Sequence, residues 1–232
     1  MHSAATLPII VVKQSDNKKI SSEFQKASAT YGRIGPPGDP ESTCPNDCPL
    51  RQVIDPETGK KTTPCYGQRG RCNRHQETAA AKESSLLELI GAPFVRHHVT
   101  GDAFKQTKDG RSVLDLEKVR AMLDFHRVSK NSRGWNYTHR FTAWEKAGFG
   151  PDAWPENFVT LASVHDLKTK AAANALGWLT ARVIDKPEDA TADEFLCPVD
   201  LAKYKRQKPK TNCVTCQKCL PGANRNIAFI KF

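Results

Sequence analysis

The sequence predicts an α/β fold, a parallel partial barrel of about five or six β/α units with cysteine-rich metal-binding loops at both ends. Three observations predict it. From Asn73 onward, short apolar runs rich in β-branched and aromatic residues alternate with helical patterns, as they do where parallel strands are joined by right-handed helical crossovers. The repeats are too few for the eight strands of a closed barrel. The eight cysteines, finally, fall in two sets of four: Cys44, Cys48, Cys65 and Cys72 ahead of the repeats, and Cys197, Cys213, Cys216 and Cys219 near their end. The chain divides accordingly into an N-terminal arm (1–43), a cysteine-rich loop (44–72) and the partial barrel with its C-terminal cluster (73–232), one integrated domain from about residue 31.

The elements follow in order. The arm is poorly periodic and ends in the turn-rich GRIGPPGDPEST (Gly32 to Thr43), so it reads as an extended arm or edge strand followed by loop. Cys44 to Cys72 reads as loop around the polar turn DPETGKKTT. HQETAAAKESSLLELIG (His75 to Gly91) has strong helix formers and a glycine stop, and APFVRHHVTGD after it is a strand ending at Gly101-Asp102. In LDLEKVRAMLDFHRVSK the residues Leu116, Val119, Leu123 and His126 share one helical face. NYTHRFT is a strand by its aromatic and β-branched content, Ala143 to Gly148 is a short helical or loop piece, and NFVTLASVHD is the next strand. Asp166 caps the helix LKTKAAANALG, which Gly177 closes; WLTARVID and the final NIAFIKF are strands.

A chain of 232 residues can bury a core without disulfides. It contains no apolar run near the about 20 residues of a membrane span. Leu7 to Val12 lacks the basic lead-in and cleavage site of a signal peptide, so a cytoplasmic protein is expected, not a membrane one. Cytosolic thiols stay reduced, which turns clustered cysteines toward metal binding. The net charge of +10 favours polyanionic partners.

Spacing then discriminates among metals. Cys213-x2-Cys216-x2-Cys219 with a remote Cys197-Pro198 resembles the bacterial ferredoxin arrangement, although the Cys-Pro here precedes the triplet. Zinc modules instead pair two separated C-x2-C knuckles. We therefore expect a [4Fe–4S] cluster on Cys197, Cys213, Cys216 and Cys219, with zinc as the alternative. Cys44, Cys48, Cys65 and Cys72 are expected to form a second cluster, a three-ligand cluster with an open iron, or a structural zinc site.

STCPNDCPL, PCYGQRG, RHHVTGD, NYTHRFT, LASVHD, CPVD and CVTCQKC, followed by an apolar last strand, resemble in that order an uncharacterised family of cysteine-rich bacteriophage and prophage proteins, from about Tyr31 to Phe232. The resemblance implies a phage-encoded protein with a metal site, working in the host cytoplasm. The layout also resembles, distantly, radical S-adenosylmethionine enzymes, in which a cysteine loop precedes an α/β partial barrel. Their C-x3-C-x2-C is interrupted here, with Arg51 standing where the third cysteine belongs. S-adenosylmethionine as a cofactor would need Cys65, in Cys65-Tyr66-Gly67, as the third ligand.

Ligands of parallel α/β folds sit at the carboxyl ends of the strands. There the sequence offers His98, Asp102, His139, His165 and Asp166 as candidate catalytic residues of one polar pocket, able to serve as acid–base groups or as a His/Asp metal site. His97 and His98 must face opposite ways, so one of them packs under a helix. The helix cap is a sufficient account of Asp166. The basic segment KYKRQKPK supplies Lys203, Tyr204, Lys205, Arg206, Lys208 and Lys210 as candidate nucleic-acid contacts, with phosphate pairing and a tyrosine able to stack, and otherwise reads as a solvated loop. No phosphate-binding glycine loop, nucleophile elbow or H-E-x-x-H helix is present. Two functions remain open: an iron–sulfur enzyme acting on a nucleotide or nucleic acid at the barrel mouth, or a non-catalytic metal-stabilised module that binds nucleic acid or a host protein.

Overall fold

The computed structural model describes residues 86–98 and 102–231, with the short stretches 10–12, 28–30, 53–54, 57–59 and 61–62. In the arm, β1 (Ile10–Val12) pairs antiparallel with β2 (Ser28–Thr30); in the first cysteine-rich loop, β3 (Val53–Ile54) pairs antiparallel with β4 (Lys61–Thr62). After a 3-10 turn at Leu86–Leu89 comes β5 (Phe94–Arg96), then a hairpin of β6 (Phe104–Gln106) and β7 (Ser112–Leu114). The chain continues through α1 (Leu116–Val128), β8 (Arg133–Thr138), α2 (Phe141–Lys146), β9 (Phe158–Val164), α3 (Leu167–Ala175) and β10 (Thr180–Ile184). It ends with β11 (Glu194–Leu196), α4 (Pro198–Tyr204), the short α5 (Cys213–Cys216) and β12 (Asn226–Ile230).

Six of these strands form one sheet in the order β5-β8-β9-β10-β12-β11, and every pairing in it is parallel. The expected α/β class with a parallel sheet is therefore present. From β5 to β10 each strand lies beside its predecessor, so successive right-handed crossovers put their helices on the same face. Val119, Met122 and Leu123 of α1, Trp144 of α2 and Ala173 of α3 meet Phe158, Ala162 and Val164 in one buried cluster. The register carries that face on to Ile184, Ala228 and Ile230, against which Leu201 of α4 packs. The step from β11 back to β12 reverses direction, and the chain between them crosses to the other face. There Leu220, Cys213 and Cys219 pack with Trp135, Val159, Leu161, Ala181 and Ile227.

Strand β9, FVTLASV, is buried at all but one position, as expected of a strand covered on both faces. The second face is less completely covered toward the carboxyl end of β10: Val183 is 39% exposed.

Several elements depart from the sequence reading. NYTHRFT is split, because β8 starts earlier at Arg133 and stops at Thr138, while Phe141 and Thr142 open α2. Phe141 is buried in the helix-side core, and that burial outweighs its strand propensity. Leu116 is 37% exposed, and Lys118 takes the buried place in the first turn of α1. The hairpin β6–β7 turns through Asp109-Gly110, with Gly110 at φ +78°, and was not anticipated; nor were β11 and α4. Among the described residues no helix is long and apolar enough to cross a membrane.

Candidate metal centre and strand-end pocket

The second face of the sheet carries the C-terminal cysteines. Cys197 follows the last residue of β11, and its backbone N–H donates to the Ala228 carbonyl at 2.9 Å. From there the chain passes along α4 and the basic turn into α5, whose first and last residues are Cys213 and Cys216. Asn212 starts α5 with a reciprocal cap: its Oδ1 accepts from the Thr215 N–H at 3.0 Å, and its own N–H donates to Thr215 Oγ1 at 3.1 Å. Gln217, at φ +57°, turns the chain sharply. Arg133, at the start of β8, then donates to Gln217 Oε1 and to the Pro221 carbonyl, both at 2.6 Å. One guanidinium so ties down both sides of the segment that presents Cys219.

None of these four cysteines is in a disulfide, and Cys197 is buried. Burial of its sulfur pushes the Cys219 thiol up to about 12; a hydrogen bond with the Tyr137 phenol opposes the rise, and Cys213, Cys197 and Cys216 add to it. The four sulfurs therefore share one electrostatic neighbourhood. Among the described residues, no group of three or more His, Cys, Asp or Glu side chains stands in an arrangement that would hold a single metal ion. These two facts pull apart. Charge coupling extends farther than a coordination bond, so the coupling at Cys219 does not by itself place the four sulfurs around one ion. The donor set suits a soft metal: a thiol raised this far ionises when a cation takes its proton's place. Cys44, Cys48, Cys65 and Cys72 lie outside the described residues.

The strand-end histidines are brought together in part. His98, two residues past β5, is buried at φ +45°, a left-handed conformation that costs a non-glycine residue about 1–3 kcal/mol and is found where surrounding contacts enforce it. Its Nδ1 lies 3.0 Å from Asn136 Oδ1. Burial, then the charge of Lys118, lowers its pKa to about 3, so the ring is neutral. Asp102, four residues on, is buried and accepts from the Ala103 N–H at 2.7 Å, Thr138 Oγ1 at 2.9 Å and the His139 N–H at 3.0 Å. Burial outweighs those three bonds and raises the carboxyl to about 6.

His139 lies across the end of β8, its pKa lowered to about 4 by burial and then by His165. The two imidazoles stack, with centroids 5.6 Å apart and planes 12° from parallel. Partial burial lowers the pKa of His165, against the pull of Asp166. Asp166 is occupied as the cap of α3: its carboxylate accepts from the Thr169 N–H at 2.7 Å and Thr169 Oγ1 at 3.0 Å. It reaches the pocket only through its charge near His165. His97 faces the other way and packs under α1, its Nε2 2.7 Å from His126 Nε2. Sequence reading missed Lys118, hidden as a polar position of a helix, and Arg133, whose partners lie more than eighty residues away.

The basic segment is not a loop throughout. Lys203 and Tyr204 form the last turn of α4, Lys205 is its C-terminal cap, and Arg206 is left-handed at φ +55°. Lys203, Tyr204, Lys205, Arg206, Lys208 and Lys210 are all exposed to solvent. Comparison with protein-family models, with curated proteins and with solved structures finds no match to this chain.

Proposed function

We propose that this chain is an iron–sulfur protein in which Cys197, Cys213, Cys216 and Cys219 hold a [4Fe–4S] cluster on the second face of an incomplete barrel. The observation that carries the reading is that the Cys197, Cys213 and Cys216 thiols, none in a disulfide, all act on Cys219, with Cys213 and Cys219 packed against that face. A zinc tetrahedron with bonds of about 2.3 Å needs sulfurs only ~3.8 Å apart. The consecutive C-x2-C steps of Cys213, Cys216 and Cys219 with a remote Cys197-Pro198 favour a cubane cluster over that tetrahedron. The one-directional order β5-β8-β9-β10 is that of a barrel segment. The cluster would supply electrons or bind a cosubstrate, and the resemblance to phage proteins fits work in a host cell.

In this reading the strand ends form the reaction pocket for a nucleotide or nucleic acid. Asp102, poised near neutrality, is the proton carrier, and the neutral rings of His98 and His139 bind and orient. The exposed Lys203–Lys210 turn favours a second reading, a metal-stabilised binding module without catalysis. Iron, acid-labile sulfide and zinc are to be measured on protein purified without oxygen. Roughly four irons with equal sulfide at the C-terminal site are expected; colourless protein with zinc refutes the cluster. Binding to single-stranded nucleic acid that is lost when the lysines are neutralised, but kept when His98 is replaced, favours the second reading.

A further inference from the structure

The basic groups are not spread evenly along the chain. Residues 201–232 hold eight of its lysines and arginines and no aspartate or glutamate, so this last stretch accounts for most of the net charge of +10. The fold draws the stretch round one margin of the sheet. α4 packs on the first face through Leu201, Cys213 and Leu220 pack on the second, and β11 is the outermost strand at that end. The basic turn between α4 and α5 therefore passes round the rim beside β11. Lys218 returns to the same strand, its Nζ 5.9 Å from the centre of the Phe195 ring. Arg225 directly precedes β12, whose first residue pairs with the first of β11. Lys205, Arg206, Lys208, Lys210, Lys218 and Arg225 are exposed, and none forms an ion pair with a described residue. The acidic side chains of β11 and its two flanks are instead paired or buried: Glu194 accepts from Arg182 at 2.7 and 2.8 Å, Asp193 from Lys170 at 2.6 Å, and Asp200 is buried. The rim thus presents cations to solvent, with Tyr204 among them at 45% exposure.

We propose that this rim is the track of a single-stranded nucleic acid, and that it extends beyond the Lys203–Lys210 turn to Lys218 and Arg225. The inference rests on the second reading above, that of a binding module, and the cysteines take no part in the contacts. Unpaired cations set along an edge match phosphates spaced along a flexible strand, and each phosphate they neutralise releases counterions. A tyrosine stacks on a base whose face is uncovered. In a duplex the neighbouring base pairs cover those faces, so Tyr204 favours the single strand.

The test is fluorescence anisotropy of a labelled oligothymidylate with the full chain over a range of salt. We expect the single strand to bind more tightly than a duplex of equal length. Lys218→Gln and Arg225→Gln should each weaken binding and reduce the slope of log affinity against log salt by about 0.7, the value for one phosphate of a single strand. Tyr204→Leu should weaken binding roughly tenfold with the slope unchanged, since stacking releases no counterion. Lys146→Gln removes the same charge at the end of α2 and should do neither. Equal losses in all three glutamine variants show attraction to the overall charge and overturn the proposal, as does equal or tighter binding of the duplex. If neutralising Lys205, Lys208 and Lys210 abolishes binding while the Lys218, Arg225 and Tyr204 variants bind as wild type does, the second reading stands and the extended track falls. A wild type that binds no oligonucleotide even at low salt refutes both, and binding to vesicles of anionic phospholipid in its place assigns the rim to a membrane.

Discussion

Gly134 shows how one missing side chain admits another. It sits near the start of β8, between Val95 of β5 and Phe158 of β9, and a Cβ there would overlap the His126 ring of α1. The imidazole lies against the strand backbone, stacked on Phe158 at 5.0 Å, with its Nδ1 3.1 Å from the Ser132 carbonyl. A carbonyl only accepts, so Nδ1 carries the proton, Nε2 accepts, and His97 Nε2 must be the donor to it. Gly134→Ala has to displace this ring, and we expect it to destabilise the fold by about 1–3 kcal/mol in urea denaturation, with unchanged denaturant slope. Alternation along the strand was enough to read from sequence that either His97 or His98 must be buried under a helix. The need for Gly134 was not readable, because the ring that excludes a methyl group belongs to a different element.

At the scale of elements, α3 was legible from its ends. Asp166 caps it and Gly177 closes it at φ +80°. Asp166→Ala should cost about 1 kcal/mol of stability, within the usual 0.5–2 range for such caps, and thermal unfolding would measure it. The Arg133 anchor makes a different prediction. Arg133→Met keeps an apolar stem on β8 but removes both bonds to the cysteine segment. Such a variant should fold and retain less metal per chain than wild type, read by metal analysis after gel filtration. The cysteine spacing was plain in the sequence, whereas the clamp was not, since it depends on the last crossover bringing Gln217 and Pro221 onto the start of β8. β11 and α4 were missed for a related reason. EFL is three residues long, and the charged helix after it has only Val199 and Asp200 buried to betray it.

The whole molecule should be acid-sensitive. His97, His98, His126 and His139 are held neutral, with burial the leading cause in each and pKa values near 3 to 4 where they are defined. In the unfolded chain they titrate near 6.5, so their contribution is complete above that pH and is lost as pH falls toward 4, each group costing about 1.4 kcal/mol per pH unit. Asp102 opposes them: its raised carboxyl favours the fold most below its ordinary 3.8 and loses that advantage as pH rises through about 6. With four groups against one, we expect the denaturation midpoint to fall steeply between pH 6.5 and 4, and circular dichroism across that range checks it. A flat profile would contradict the buried neutral histidines.

The α/β class could be read at this scale because each crossover from β5 to β10 is local in sequence. The place of β12 could not, since it slots between β10 and β11 and so parts two strands that are consecutive in the chain. A ribosome releases this strand after every other member of the sheet. Until it emerges, β10 and β11 have no common neighbour, and the apolar flanks they will share with Ile227, Ala228 and Ile230 stay open to water. The nascent sheet is therefore a row of four strands waiting for its keystone. The cysteine triplet leaves the exit tunnel just ahead of that piece, so its thiols reach solvent before the strand they pack beside is in place.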